Sequence, residues 1–121
     1  MQTDNQTLDE TVSEEIVSTR SVIDLRKRIG LSVREFSRFL GFGEQTAARY
    51  ERGSVPDTLH SNTIRLASDA DGARLLLALN RRQMREESIR LVEDYIAELK
   101  MKGKQPNLIY SHIASATSGE D

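Results

Sequence analysis

The stretch LSVREFSRFLGFGEQTAARYERG, Leu31 to Gly53, decides how this chain is read. Its first segment opens at Ser32, where Ser32 and Glu35 stand at the spacing of a capping box. Phe36, Phe39 and Leu40 give that segment one apolar face, and Gly41 stops it. Gly41 to Gly43 leave room only for a sharp turn. A second helix is predicted over Glu44 to Arg52, with Ala47 and Tyr50 three apart on its inner face and Gly53 ending it. Two short helices joined by a three-residue turn have the spacing of a helix-turn-helix.

The polar face of the second helix carries the functional reading. Gln45 and Arg49 are four apart and share a side, opposite Ala47 and Tyr50. A major groove about 12 Å wide admits such a helix. There Arg bonds two guanine acceptors and Gln makes a paired contact with adenine, so Gln45 and Arg49 are the expected base readers. Glu44 and Ala48 flank them: a carboxylate there accepts from cytosine, and a small Ala48 lets the backbone approach base edges. Ser32, Arg34, Arg38, Arg52 and Ser54 are the expected phosphate contacts. The plainer alternative for each arginine is a solvated surface charge.

Outward from this stretch the chain continues as helices. Ser21 is expected to cap a first helix bearing Val22, Leu25 and Ile29, with Asp24 near its N-terminus and Gly30 after its end. Asp57 is expected to cap a fourth helix carrying Leu59, Ile64, Leu66 and Ala67. Asp69 or Asp71 then caps a fifth, over Leu75 to Leu79. From Arg81 to Lys100, Ile89, Val92, Ile96 and Leu99 recur at helical spacing, predicting an amphipathic helix that packs on its own chain or forms a dimer seam. Four segments follow: an acidic arm (1–19), a DNA-binding domain (20–80), an amphipathic helix (81–101) and a tail (102–121). Leu108, Ile109, Tyr110 and Ile113 make an apolar patch in that tail, which docks on the core or binds a partner. The expected fold class is all-α.

Composition narrows the function classes. The chain has 121 residues, no Cys and only two histidines, His60 and His112. Disulfides, Cys-based metal sites and thiolate catalysis are excluded, and no second ligand accompanies His60. Ser37, Ser61 and Ser111 have no nearby base, so an enzyme is not expected, nor any cofactor or metal. The apolar runs are too short for a bilayer, and the start MQTDNQTLDE lacks the basic and apolar regions of a secretory leader. A cytoplasmic protein, nucleoid-associated when on DNA, is the expectation. The net charge of −2 hides a gradient. Residues 1–19 hold five acids and no base, whereas residues 20–55 hold eight Lys or Arg against four acids. That basic block is either a solvated helix surface or a face for an anionic ligand.

The Leu31–Gly53 run resembles the DNA-binding helix-turn-helix of XRE/Cro-family regulators. Leu31, Ser32, Glu35, Gly41, Thr46, Arg49, Glu51 and Gly53 match that pattern directly, and Phe42 and Tyr50 match in type. Within the family, REFSRFLGFGEQTAARYERGSVPD is similar to the repressor-like domain of MqsA-type antitoxins from toxin–antitoxin pairs. The resemblance spans Ser21 to Leu79. It implies a lambda-repressor-like five-helix domain, base reading by Gln45 and Arg49, and a structural Glu51–Arg26 pair locking two helices together. It also implies a homodimer on a palindromic operator, repression of its own promoter, and in the antitoxin version a toxin as protein partner. Three departures stand out. Val33 replaces a phosphate-binding Gln, Gly43 replaces the usual Ser or Thr cap, and no basic arm follows Gly53. The paired-Cys zinc domain of MqsA-type proteins has no counterpart here.

Overall fold

A computed structural model of the chain describes residues 16–104, where every regular element is a helix and no strand occurs. In chain order these are α1 (Thr19–Ile29), α2 (Val33–Leu40), α3 (Thr46–Glu51), α4 (Thr58–Ala67), α5 (Ala70–Asn80) and α6 (Glu86–Lys104). A 3-10 turn, Arg81–Gln83, separates α5 from α6. Residues 1–15 of the acidic arm and the apolar patch Leu108–Ile113 lie outside the described residues.

Short polar side chains begin four of the helices by satisfying amides that have no partner in the first turn. Ser32 Oγ accepts from the Glu35 amide at 3.1 Å, Asp57 from His60 at 2.8 Å and Asp69 from Gly72 at 3.1 Å. The first helix departs from expectation: its cap is Ser18, whose hydroxyl accepts the Ser21 amide at 3.1 Å. Ser21 therefore lies inside α1. The earlier start follows from the Val17 amide, which donates to Ser61 Oγ of α4 at 3.0 Å and fixes where the chain enters the helix. Ile16 to Thr19, assigned to the arm from sequence, are thus tied to the helical body.

All six helices share one core. Val22, Phe36, Phe39, Ala47, Ala67, Ala73 and Val92 are fully buried, and Leu25, Ile29, Leu31, Leu40, Ile64, Leu76, Leu77 and Ile96 nearly so. The apolar stripe of α6 faces inward against α5 and α1, so that helix packs on its own chain. Its stripe also includes Tyr95, whose hydroxyl donates to the Ala67 carbonyl at 2.8 Å while Arg28 lies over its ring. The long helix starts five residues later than expected. After the 3-10 turn the chain extends at Met84 (φ −102°, ψ 151°), which drops its side chain into the core. This break lets Asn80 and Gln83 turn back to α2, donating to the carbonyls of Phe39 (2.9 Å) and Arg38 (3.1 Å). Those carbonyls lie in the last turn of α2, where intrahelical donors run out.

Two glycines are required by the path. Gly41 ends α2 in the left-handed region (φ 78°), beside the Asn80 amide. Gly72 permits close packing of α5 on α4, because a Cβ there would lie 2.1 Å from the Leu66 carbonyl oxygen. Four leucines of the fourth and fifth helices' apolar pattern point outward: Leu59, Leu66, Leu75 (53% exposed) and Leu79 (67%). The α4 and α5 faces that pack are narrower than their apolar content, formed by Ser61, Ile64 and Ala67 on α4 and by Gly72, Ala73, Leu76 and Leu77 on α5. No helix among the described residues is long and apolar enough to cross a membrane.

Candidate nucleic-acid interface

The helix expected to present the site is α3, and its observed span is Thr46–Glu51 rather than 44–52. Glu44 and Gln45 form the turn leading into it, with the Thr46 amide bonded to the Gly43 carbonyl at 3.0 Å. Gly43 offers no side-chain cap, and Gln45 at the cap position makes no capping bond. The missing acceptor comes from another helix. Ser37, fully buried on α2, accepts the Ala47 amide at 2.9 Å. Sequence reasoning weighed Ser37 only as a nucleophile. The signal for its real role is a small hydroxyl on the α2 face nearest the turn, without a capping side chain at Gly43.

Three further contacts hold α3 in place. Ala47 and Tyr50 are buried against the core, as their spacing predicted. Arg26 of α1 grips Glu51 with two nitrogens, Nε to Oε2 and Nη2 to Oε1 (3.1 Å), and its Nη1 donates to the Leu31 carbonyl at 3.0 Å. Both side chains of this pair are largely buried, so Glu51 is a lock between helices and not part of the outer face. At the other side Phe42 stacks on His60 with centroids 4.0 Å apart, and the Tyr50 hydroxyl pairs with His60 Nδ1. These aromatics fill the space between the turn and α4. Burial, with Asp57 nearby, raises the Tyr50 hydroxyl above its ordinary pKa.

The outer face of α3 is open. Gln45 and Arg49 are exposed, Ala48 half-buried, and Arg49 forms no ion pair among the described residues. Val33, Arg34, Glu44, Gln45 and Ala48 line one shallow cleft between α2 and the start of α3. Arg52 and Ser54 are exposed beyond the opposite end of α3. Ser32 keeps its hydroxyl hydrogen while its oxygen serves the Glu35 amide. Val33 packs part-buried against the core.

Three expected site residues form one ion cluster. Glu44 receives Arg34 Nη2 on Oε1 at 3.1 Å and Arg38 Nη2 on Oε2 at 2.6 Å. Arg38 donates with its other terminal nitrogen to Glu35 Oε2 at 2.9 Å. The bonds from Arg38 and then Arg34 hold the Glu44 carboxyl below its ordinary range, and Glu44 and Glu35 raise the Arg38 guanidinium above its own. Glu35 itself is buried, and its Oε1 accepts the Arg85 amide at 3.0 Å. Burial alone would raise its pKa. The Arg85 amide, the Ser88 hydroxyl and Arg38 outweigh that, and the net shift is downward. Glu35 was expected to complete a capping box by reaching back to Ser32. Its carboxylate instead joins α2 to the start of α6, taking the Arg85 amide on one oxygen and a charge-assisted bond from Arg38 on the other.

No group of three or more His, Asp or Glu side chains among the described residues is placed to hold a metal ion. Comparison with protein-family models, curated proteins and solved structures gave no match for this chain.

Proposed function

We propose that this chain is a sequence-specific DNA-binding transcriptional regulator of the XRE/Cro type with a lambda-repressor-like fold. It reads the major groove with α3 and the turn before it. The carrying observation is the division of α3 into a locked inner face and an open outer one. Ala47, Tyr50 and the Arg26–Glu51 pair hold the helix, leaving Gln45, Ala48 and Arg49 outward, with no ion pair at Arg49 among the described residues. Preorganised donors on a rigid element are what base reading requires. Arg52 and Ser54 supply backbone contacts at the far end.

One such helix covers only a few base pairs, so useful specificity calls for a homodimer on two half-sites about 34 Å apart. The stripe of α6, one of whose expected roles was a dimer seam, is used up inside the chain. Leu75 and Leu79, one turn apart and exposed on α5, are the remaining choice. Repression of its own promoter is the simplest use of this architecture. The alternative, an antitoxin that also holds a toxin, gives the same apolar surface to a different protein.

The test is fluorescence anisotropy with duplex DNA from upstream of the chain's own coding sequence, at two salt concentrations. Salt-dependent binding is expected, and Arg49→Ala costs about 1–3 kcal/mol on that duplex while changing random-duplex binding little. Equal loss on both duplexes removes Arg49 from base reading. A complex that is a single monomer on one half-site removes the dimer.

A further inference from the structure

We infer that Glu44 is a built-in counter-anion that holds down affinity for DNA of any sequence by occupying the Arg34 and Arg38 donors phosphate would take. This rests on the DNA-binding reading of the same face. The geometry is that of a phosphate surrogate: one anionic group spans two guanidiniums, each of its oxygens serving a different arginine. Its position fits as well. Glu44 directly precedes Gln45 and shares a cleft with Arg34, Gln45 and Ala48, so backbone flanking the groove must pass this cluster.

A purely structural role for Glu44 is not supported by its contacts. The Thr46 and Ala47 amides are already served by the Gly43 carbonyl and Ser37. The side chain is about half exposed (48%), and its hydrogen bonds go to the two arginines. With Glu35 behind Arg38, the chain Glu35–Arg38–Glu44–Arg34 carries two carboxylates against two guanidiniums. An approaching phosphate thus meets a neutral cluster at this end of the site, and at the other Arg52, which forms no ion pair among the described residues. Contacts to phosphate are shared by all sequences, so suppressing them lowers non-specific binding and leaves discrimination to Gln45 and Arg49.

Removing one negative charge lets the cluster neutralise one more phosphate, which steepens the dependence of log K on log salt by about 0.9. If binding curves converge at about 1 M salt, that slope corresponds to about 15-fold tighter binding at ~50 mM and about fourfold at ~200 mM. The experiment titrates the full chain against a random-sequence duplex by fluorescence anisotropy across that range. Wild type is compared with Glu44→Gln, with Glu44→Ser, and with Glu98→Gln as the same charge change on the exposed side of α6. Both Glu44 variants are expected to bind more tightly and with the steeper slope, while Glu98→Gln matches wild type. Thermal unfolding of each variant shows that it is folded. Salt-dependent wild-type binding without a gain in either Glu44 variant overturns the inference and leaves the DNA reading standing. An equal gain in Glu98→Gln overturns it in favour of bulk charge. No binding by any variant even at low salt overturns the DNA reading itself.

Discussion

Replacing Glu35 by Gln keeps the shape of the side chain and removes its charge, which isolates what a buried carboxylate contributes to this fold. The carboxylate accepts the Arg85 amide on one oxygen (3.0 Å) and Arg38 on the other (2.9 Å). Gln retains one acceptor for Arg85 but turns an amide NH2 toward the Arg38 guanidinium, donor against donor. Losing a charge-assisted bond of this kind costs about 1.5–3 kcal/mol. Of a total stability of about 5–15 kcal/mol this is a large share, and it lowers Tm by about 10–20 °C. The pH dependence carries the sharper test. Because the folded pKa of Glu35 is depressed, its contribution is complete above the ordinary carboxylate range and is lost as pH falls through the lowered value. Protonated Glu35 resembles Gln, so the wild-type advantage measured by urea unfolding is greatest at neutral pH and shrinks in acid. A difference that stays constant from neutral pH into acid, or one below about 0.5 kcal/mol at neutral pH, refutes the role given to this carboxylate.

Two further substitutions test how α3 and α5 are held. Ser37→Ala removes the acceptor for the Ala47 amide and is expected to cost about 1–2 kcal/mol in urea unfolding; an unchanged midpoint would assign the cap elsewhere. Gly72→Ala places a methyl against the Leu66 carbonyl and is expected to cost about 1–3 kcal/mol, with no compensation from its better helix propensity. Stabilisation by that substitution would refute the close approach of α5 to the Leu66 carbonyl at Gly72.

Local chemistry makes much of this fold readable in the sequence. Ser32 and Asp57 cap the helices they were expected to cap, Asp69 rather than Asp71 caps the fifth, and Gly30 and Gly41 end theirs, because caps depend on residues within three or four positions. The inward placement of Ala47 and Tyr50 and the outward placement of Arg49 follow from helical period alone, whereas Gln45 is exposed from the turn before the helix. The Arg26–Glu51 lock was legible only through family resemblance. What stayed hidden depends on residues distant in sequence. Ser37 caps a helix ten positions away, and Glu35 joins an amide 50 positions away. Met84 breaks an amphipathic period whose residues would otherwise carry the helix back to Arg81, since burying Met84 and capping α2 decide the path there. Leu66, Leu75 and Leu79 count as core by hydropathy, but a helix buries only the face its neighbours reach. The sequence gives Arg34, Arg38 and Glu44 each an expected contact to DNA, and only their positions in space show that they contact one another.

In vitro selection from a randomised duplex pool, run in parallel with wild type and Arg49→Ala, is the most direct measurement. The expected wild-type product is an inverted repeat with half-site centres about one helical turn apart, and the variant relaxes the same position in each half. Failure to enrich any site, or an identical motif from both proteins, would contradict sequence reading by the outer face of α3.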